Sequence, residues 1–139
     1  MALERGLRGL DRRALIRGAV AYLIIAVPCG LLIAVAQPSD TSGLWAAAAV
    51  LVFLVAPVAG GAFAASAAGH RSPLTHAAVA VGGPAAIFLV IRLVVGIGRG
   101  NLTATQVVSF ILYLVVFTGL AMVGGYAAFW RKGRSSASL

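Results

Sequence analysis

The sequence predicts an all-α fold: an antiparallel bundle of four transmembrane helices with both chain ends on the same side of a bilayer. Three observations carry this expectation. The chain is 61% hydrophobic and only 10% charged, with a mean hydropathy of +1.03, whereas globular domains are about half apolar and about a quarter charged. The apolar residues gather into four runs, each near or above the roughly 20 residues that cross about 30 Å of hydrocarbon. The charges sit at the ends of those runs.

The elements follow in order. Segment 1–13 places Arg5, Arg8, Arg12 and Arg13 among Leu3, Leu7 and Leu10 at roughly helical spacing, continued by Leu15 and Arg17. That is the pattern of a short amphipathic helix on the inner leaflet, drawn to anionic lipid by about 1 kcal/mol per basic residue near the surface. The first span is expected over 14–36. Ala34-Val35-Ala36 has the small-x-small form of a signal-peptide cleavage site, but the apolar run from Gly18 onward exceeds the usual h-region, so the span is read as retained.

The second span is expected over 44–68, after a turn-rich loop from Gln37 to Gly43 containing Pro38 and Asp40. Gly69-His70-Arg71-Ser72-Pro73 ends it, with Ser72 as the expected N-cap and Pro73 at the first helical position of a third span over 74–97. Gly98-Arg99-Gly100-Asn101 turns the chain again. Thr103 and Gln106 have capping-box spacing at the start of a fourth span over 104–130, and a basic tail occupies 131–139. Loops this short make sequential helices antiparallel, and the simplest arrangement is an up-down bundle.

Orientation follows from the basic residues, which remain on the cytoplasmic side of a span. Nine of the eleven Lys and Arg fall in the N-terminal segment, the second loop and the C-terminal tail, which four spans place on one side. Both termini are therefore expected in the cytoplasm. The formal net charge of +8 is thus distributed for a membrane rather than for nucleic acid. Lys132 is the only lysine, and Ala, Val and Gly abound, a bias of GC-rich bacterial genomes, so the expected location is a bacterial plasma membrane.

Small residues recur every fourth position. Ala56, Gly60, Ala64 and Ala68 form a ridge on the second span, with Ala26, Gly30 and Ala34 on the first, Ala78, Gly82 and Ala86 on the third, and Ala121 and Gly125 on the fourth. Such ridges let backbones approach in lipid, where apolar burial alone gains little. Gly60-Gly61 and Gly124-Gly125 also hint at a duplicated hairpin, although composition alone accounts for the likeness. Pro28, Pro57 and Pro84 lie inside spans, where kinks are expected.

The candidate polar site is an outward-facing pocket. Arg92 is expected roughly 9 Å below the outer end of the third span, nearly level with Ser109. Gln106, Ser109 and Tyr113 share one face of the fourth span, and Asp40 is the only acid expected outside. Together they would suit an anionic head group or a carboxylate; alternatively Arg92 snorkels to the outer head groups. His70 and His76 read as solvated loop histidines, too few for a metal centre. Cys29, a single cysteine, excludes an internal disulfide. No span contains Asp or Glu, and no catalytic, metal or cofactor constellation is recognisable.

In length and span count the chain resembles the small multidrug resistance transporters. Their resemblance implies a membrane-embedded glutamate in the first span, and segment 14–36 has none, so the likeness stops at architecture. The stretch from Val55-Ala56-Pro57-Val58-Ala59-Gly60-Gly61 to Gly69-His70-Arg71-Ser72-Pro73-Leu74-Thr75-His76 resembles small uncharacterised four-span membrane proteins of actinobacteria. That resemblance covers about a third of the chain and implies no activity. The functional expectation is a non-enzymatic accessory or scaffold protein that packs against a larger membrane complex or a second copy of itself. The alternative is a small oligomeric transporter of a solute or lipid, with Arg92 near its path.

Overall fold

A computed structural model of the chain describes residues 10–36, 43–69 and 72–136. It contains four helices, α1 (Arg12–Ala36), α2 (Leu44–Ala68), α3 (Pro73–Gly98) and α4 (Ala104–Ser136). The fold is all-α, with no strand among the described residues. All four helices are long and apolar enough to cross a membrane. Pro28, Pro57 and Pro84 each lie within an uninterrupted helix.

Local chemistry explains the helix ends. Asp11 precedes α1, and its Oδ1 accepts the backbone N–H of Arg13 at 2.9 Å, an N-cap contact. Leu10 and Asp11 are not helical, so the expected amphipathic helix does not continue through Leu15, which belongs to α1. The rest of that expected segment, 1–9, lies outside the described residues, as do Asp40, His70 and Arg71. At the end of α3, Gly100 adopts a left-handed φ of 65°. Its N–H donates to the carbonyl of Ile97 at 3.0 Å and that of Asn101 to Gly96 at 3.1 Å, the two bonds of a Schellman motif.

Thr103 and Gln106 form the expected capping box reciprocally. The Thr103 N–H donates to Gln106 Oε1 at 3.0 Å, and the Gln106 N–H to Thr103 Oγ1 at 3.3 Å. Ser72 departs from expectation. It precedes Pro73 as foreseen, but its hydroxyl makes no capping bond because its backbone is left-handed, φ 45° and ψ 60°. An N-cap side chain reaches the first-turn N–H groups from the β region instead. The basic tail also differs: α4 continues past residue 130 through Ser136 and carries Arg131, Lys132 and Arg134 as helical residues.

The arrangement of the helices is not the simple up-down ring. Helix α1 packs most extensively on α2, and α4 packs on both α2 and α3. Helices α2 and α3 also touch, whereas α1 and α4 lie across the long diagonal, where Tyr22 meets Phe117 edge-on. The α2–α4 pair runs parallel: Phe53 stacks on Phe117 at 6.0 Å, and further along Ala65 faces Gly125.

Glycine makes that parallel contact. A β-carbon at Gly61 would fall on the carbonyl of Ala121, and one at Gly124 on the carbonyl of Val58. Each glycine therefore meets the carbonyl of the residue three positions before the other, a reciprocal contact between backbones. The equivalent positions in space are Gly61 and Gly124, one residue out of step with the Gly-Gly pairs as they align in sequence. The resemblance of α2 to α4 is thus a local contact geometry and does not extend to their hairpins, since α2 touches α3 while α1 hardly touches α4.

Candidate functional site

Burial is concentrated towards one end of the bundle, where α1 and α3 begin and α2 and α4 finish. The buried apolar residues are mostly alanine, including Ala14, Ala56, Ala64, Ala77, Ala80 and Ala121, joined by Tyr22 and Val81. Where side chains are described, no residue of α1 from 23 to 31, of α2 before Ala56, of α3 beyond Ala85 or of α4 before Ala121 is buried. The glycines separate by the helix face they occupy. Gly18, Gly60, Gly61, Gly124 and Gly125 press against neighbouring helices, whereas Gly30, Gly83 and Gly119 have nothing within 4 Å of where a β-carbon would stand.

The α2 ridge faces α1 and α3. A β-carbon on Gly60 would lie 2.8 Å from Tyr22 Cβ, 3.0 Å from the carbonyl of Gly18 and 3.0 Å from Val81 Cγ2. Ala56 and Ala64 are fully buried on the same ridge, while Ala68 is half-buried. A β-carbon on Gly82 would lie 3.1 Å from Thr118 Oγ1, and Gly125 faces Ala77. On α1 the close contacts come from Ala14 and Gly18 rather than from Gly30. The spacing of Ala14, Gly18 and Tyr22 carried that signal in the sequence, masked by the adjacent Arg13 and Arg17, which mark the region as a helix end.

At the opposite end, the residues of the expected polar pocket are occupied separately. Arg92 is exposed and lies 5.6 Å above the ring of Phe88, one turn earlier on its own helix. The Gln106 carboxamide oxygen is taken by the capping box. Ser109 is half-buried, and exposed Tyr113 tilts against Phe117 at 6.2 Å. Among the described residues no hydrogen bond joins Arg92 to Gln106, Ser109 or Tyr113, and Asp40 lies outside them. Tyr22, Phe53, Tyr113 and Phe117 instead form an aromatic group where the packed half meets the open half.

His76 corrects the sequence reading most sharply. It is not a solvated loop residue but a fully buried one, in the first turns of α3. Its Nε2 accepts the backbone N–H of Asp11 at 2.8 Å. Its Nδ1 lies 3.0 Å from the carbonyl of Ser72, which also accepts the His76 backbone N–H at 3.2 Å. A carbonyl can only accept and an N–H can only donate, so the two contacts are satisfied together by the tautomer that carries its proton on Nδ1. The left-handed turn at Ser72 aims that carbonyl at the ring. No metal-binding group of three or more His, Cys, Asp or Glu exists among the described residues.

Beside this clasp, an open cleft of about 410 Å³ separates the first turn of α3 from α4, lined by Ser72, Pro73, Leu74, Thr75, Tyr126 and Phe129. Just beyond it the Arg134 guanidinium lies 3.7 Å above the ring of Trp130, placing a cation and an amphipathic aromatic together near the end of α4. Compared with models of known protein families, with curated proteins and with solved structures, the chain finds no match in any of the three.

Proposed function

We propose that this chain is a non-enzymatic accessory or scaffold protein of a bacterial plasma membrane, crossing the bilayer four times with both termini in the cytoplasm. It works by packing against a larger membrane complex or a second copy of itself, with anionic lipid at its inner, basic end. The observation that carries the reading is the uneven packing. One half of the bundle is held by backbone-close contacts, while Gly30, Gly83 and Gly119, on α1, α3 and α4, have no neighbouring helix within 4 Å of where a β-carbon would stand. In lipid, accessible small residues permit another helix to approach closely.

Purification in mild detergent followed by native mass spectrometry tests the proposal. A stoichiometric larger membrane partner or a homo-oligomer supports it. A lone monomer in every detergent and in nanodiscs removes it. A homodimer that carries a bound solute, released when Arg92 is replaced, favours the transporter reading instead.

A further inference from the structure

We propose that His76 is a pH-sensitive clasp that fastens the start of α1 to the bundle and lets go when its ring takes up a proton. The geometry supplies one reason from each ring nitrogen. Nδ1 is committed to the Ser72 carbonyl as a donor. Nε2 is therefore the only site for an added proton, and it is the acceptor for the Asp11 N–H. Protonation puts N–H against N–H across a 2.8 Å contact between the buried ring and the backbone just ahead of α1. The former acceptor becomes a donor, and the Asp11 amide loses its partner within the protein. Histidine is the side chain that ordinarily changes charge between pH 5 and 8.

The surroundings offer an imidazolium little compensation. From α1 the charged groups at this end are Asp11, Arg12, Arg13 and Arg17; from α4 they are Arg131, Lys132 and Arg134, with the phenol of Tyr126. Helix α2 has no ionisable side chain, and on α3 only Arg92 is charged, four turns away. Asp11 Oδ1 already accepts the Arg13 N–H. The contact joins residues 65 positions apart, so its loss loosens the start of α1 from α3.

The test uses the full-length protein in nanodiscs. Thermal unfolding is followed from pH 8 to pH 5 for the wild type, for His76→Gln and for His70→Gln, which removes the other histidine. Glutamine keeps a neutral acceptor within reach of Asp11 and cannot gain a proton in this range. The wild-type midpoint should fall by about 5 °C as pH drops, the His70 variant should fall equally, and the His76→Gln profile should be flat. A flat wild-type profile, or an undiminished fall in His76→Gln, overturns the proposal. Should His76→Gln fail to fold, imidazole nitrogen NMR of the wild type decides. A Nδ1–H tautomer at pH 8 that becomes imidazolium as the Asp11 amide loses exchange protection supports the clasp. A Nε2–H tautomer, or protonation with unchanged protection of Asp11, sinks it.

Discussion

Gly61 rests against the carbonyl of Ala121, with no space for even one added carbon between α2 and α4. The same holds for Gly124 against Val58. Alanine at either position, although a better helix former than glycine, should therefore destabilise the protein by about 1 to 3 kcal/mol through overpacking. Alanine at Gly30, where nothing lies within 4 Å, should leave stability unchanged or slightly raised. Thermal unfolding in a single detergent compares the three; equal midpoints for Gly61→Ala and Gly30→Ala would show that the backbones do not touch.

Gly60 separates α2 from α1 and α3 together. Leucine there must displace Tyr22, Gly18 and Val81 at once, so Gly60→Leu should lower stability by at least about 1 to 3 kcal/mol or prevent recovery of folded protein. Val94 is 62% exposed, and Val94→Leu should be silent because leucine and lipid tails are equally apolar. Size-exclusion profiles before and after heating read the difference.

The two helix starts that carry hydroxyl residues should respond differently. Replacing Thr103 with Val removes one half of a reciprocal box and should cost about 0.5 to 2 kcal/mol. The Ser72 hydroxyl makes no capping bond, so Ser72→Gly should be neutral or stabilising, since glycine takes a left-handed conformation without the penalty borne by other residues. Denaturation midpoints of the two variants test this; a larger loss at Ser72 would assign its hydroxyl a role.

Reporter fusions after Met1 and after Leu139 should both give cytoplasmic signals, because the basic residues gather at the ends of the helices that this orientation places inside. An external signal from the C-terminus would dismantle the four-span arrangement.

Much of the fold was legible in the sequence because a bilayer imposes length and polarity on each helix separately. The α2 boundaries, the Thr103–Gln106 box and the turn at Gly100 follow from local chemistry. The parallel contact of α2 with α4 does not, because it depends on which small residues meet in space, and nearly every run here has small residues to offer. The polar pocket around Arg92 rested on level and face alone; neither fixes a rotamer, and the nearby Phe88 ring and the capping box supply partners at shorter range. The burial of His76 was hidden by its neighbours Ser72 and Pro73, which mark a loop. The partner of its ring, Asp11, comes from 65 positions away in the chain, beyond the reach of local pattern.

Helix α4, at 33 residues, measures about 50 Å at 1.5 Å per residue, against roughly 30 Å of hydrocarbon. Helix α1, at 25 residues, measures only about 38 Å. The last turns of α4, with Arg131, Lys132 and Arg134, can project into water, but the stretch up to Trp130 alone still exceeds the hydrocarbon by about 10 Å. That apolar excess is accommodated by tilt or by thickening of the surrounding lipid, at a modest cost for each ångström of mismatch. Bilayer thickness therefore acts on the angle between α4 and α1. Those are the two helices that share the fewest contacts, so lipid of different chain length should reshape the loosely packed half and leave the glycine-welded half as it is.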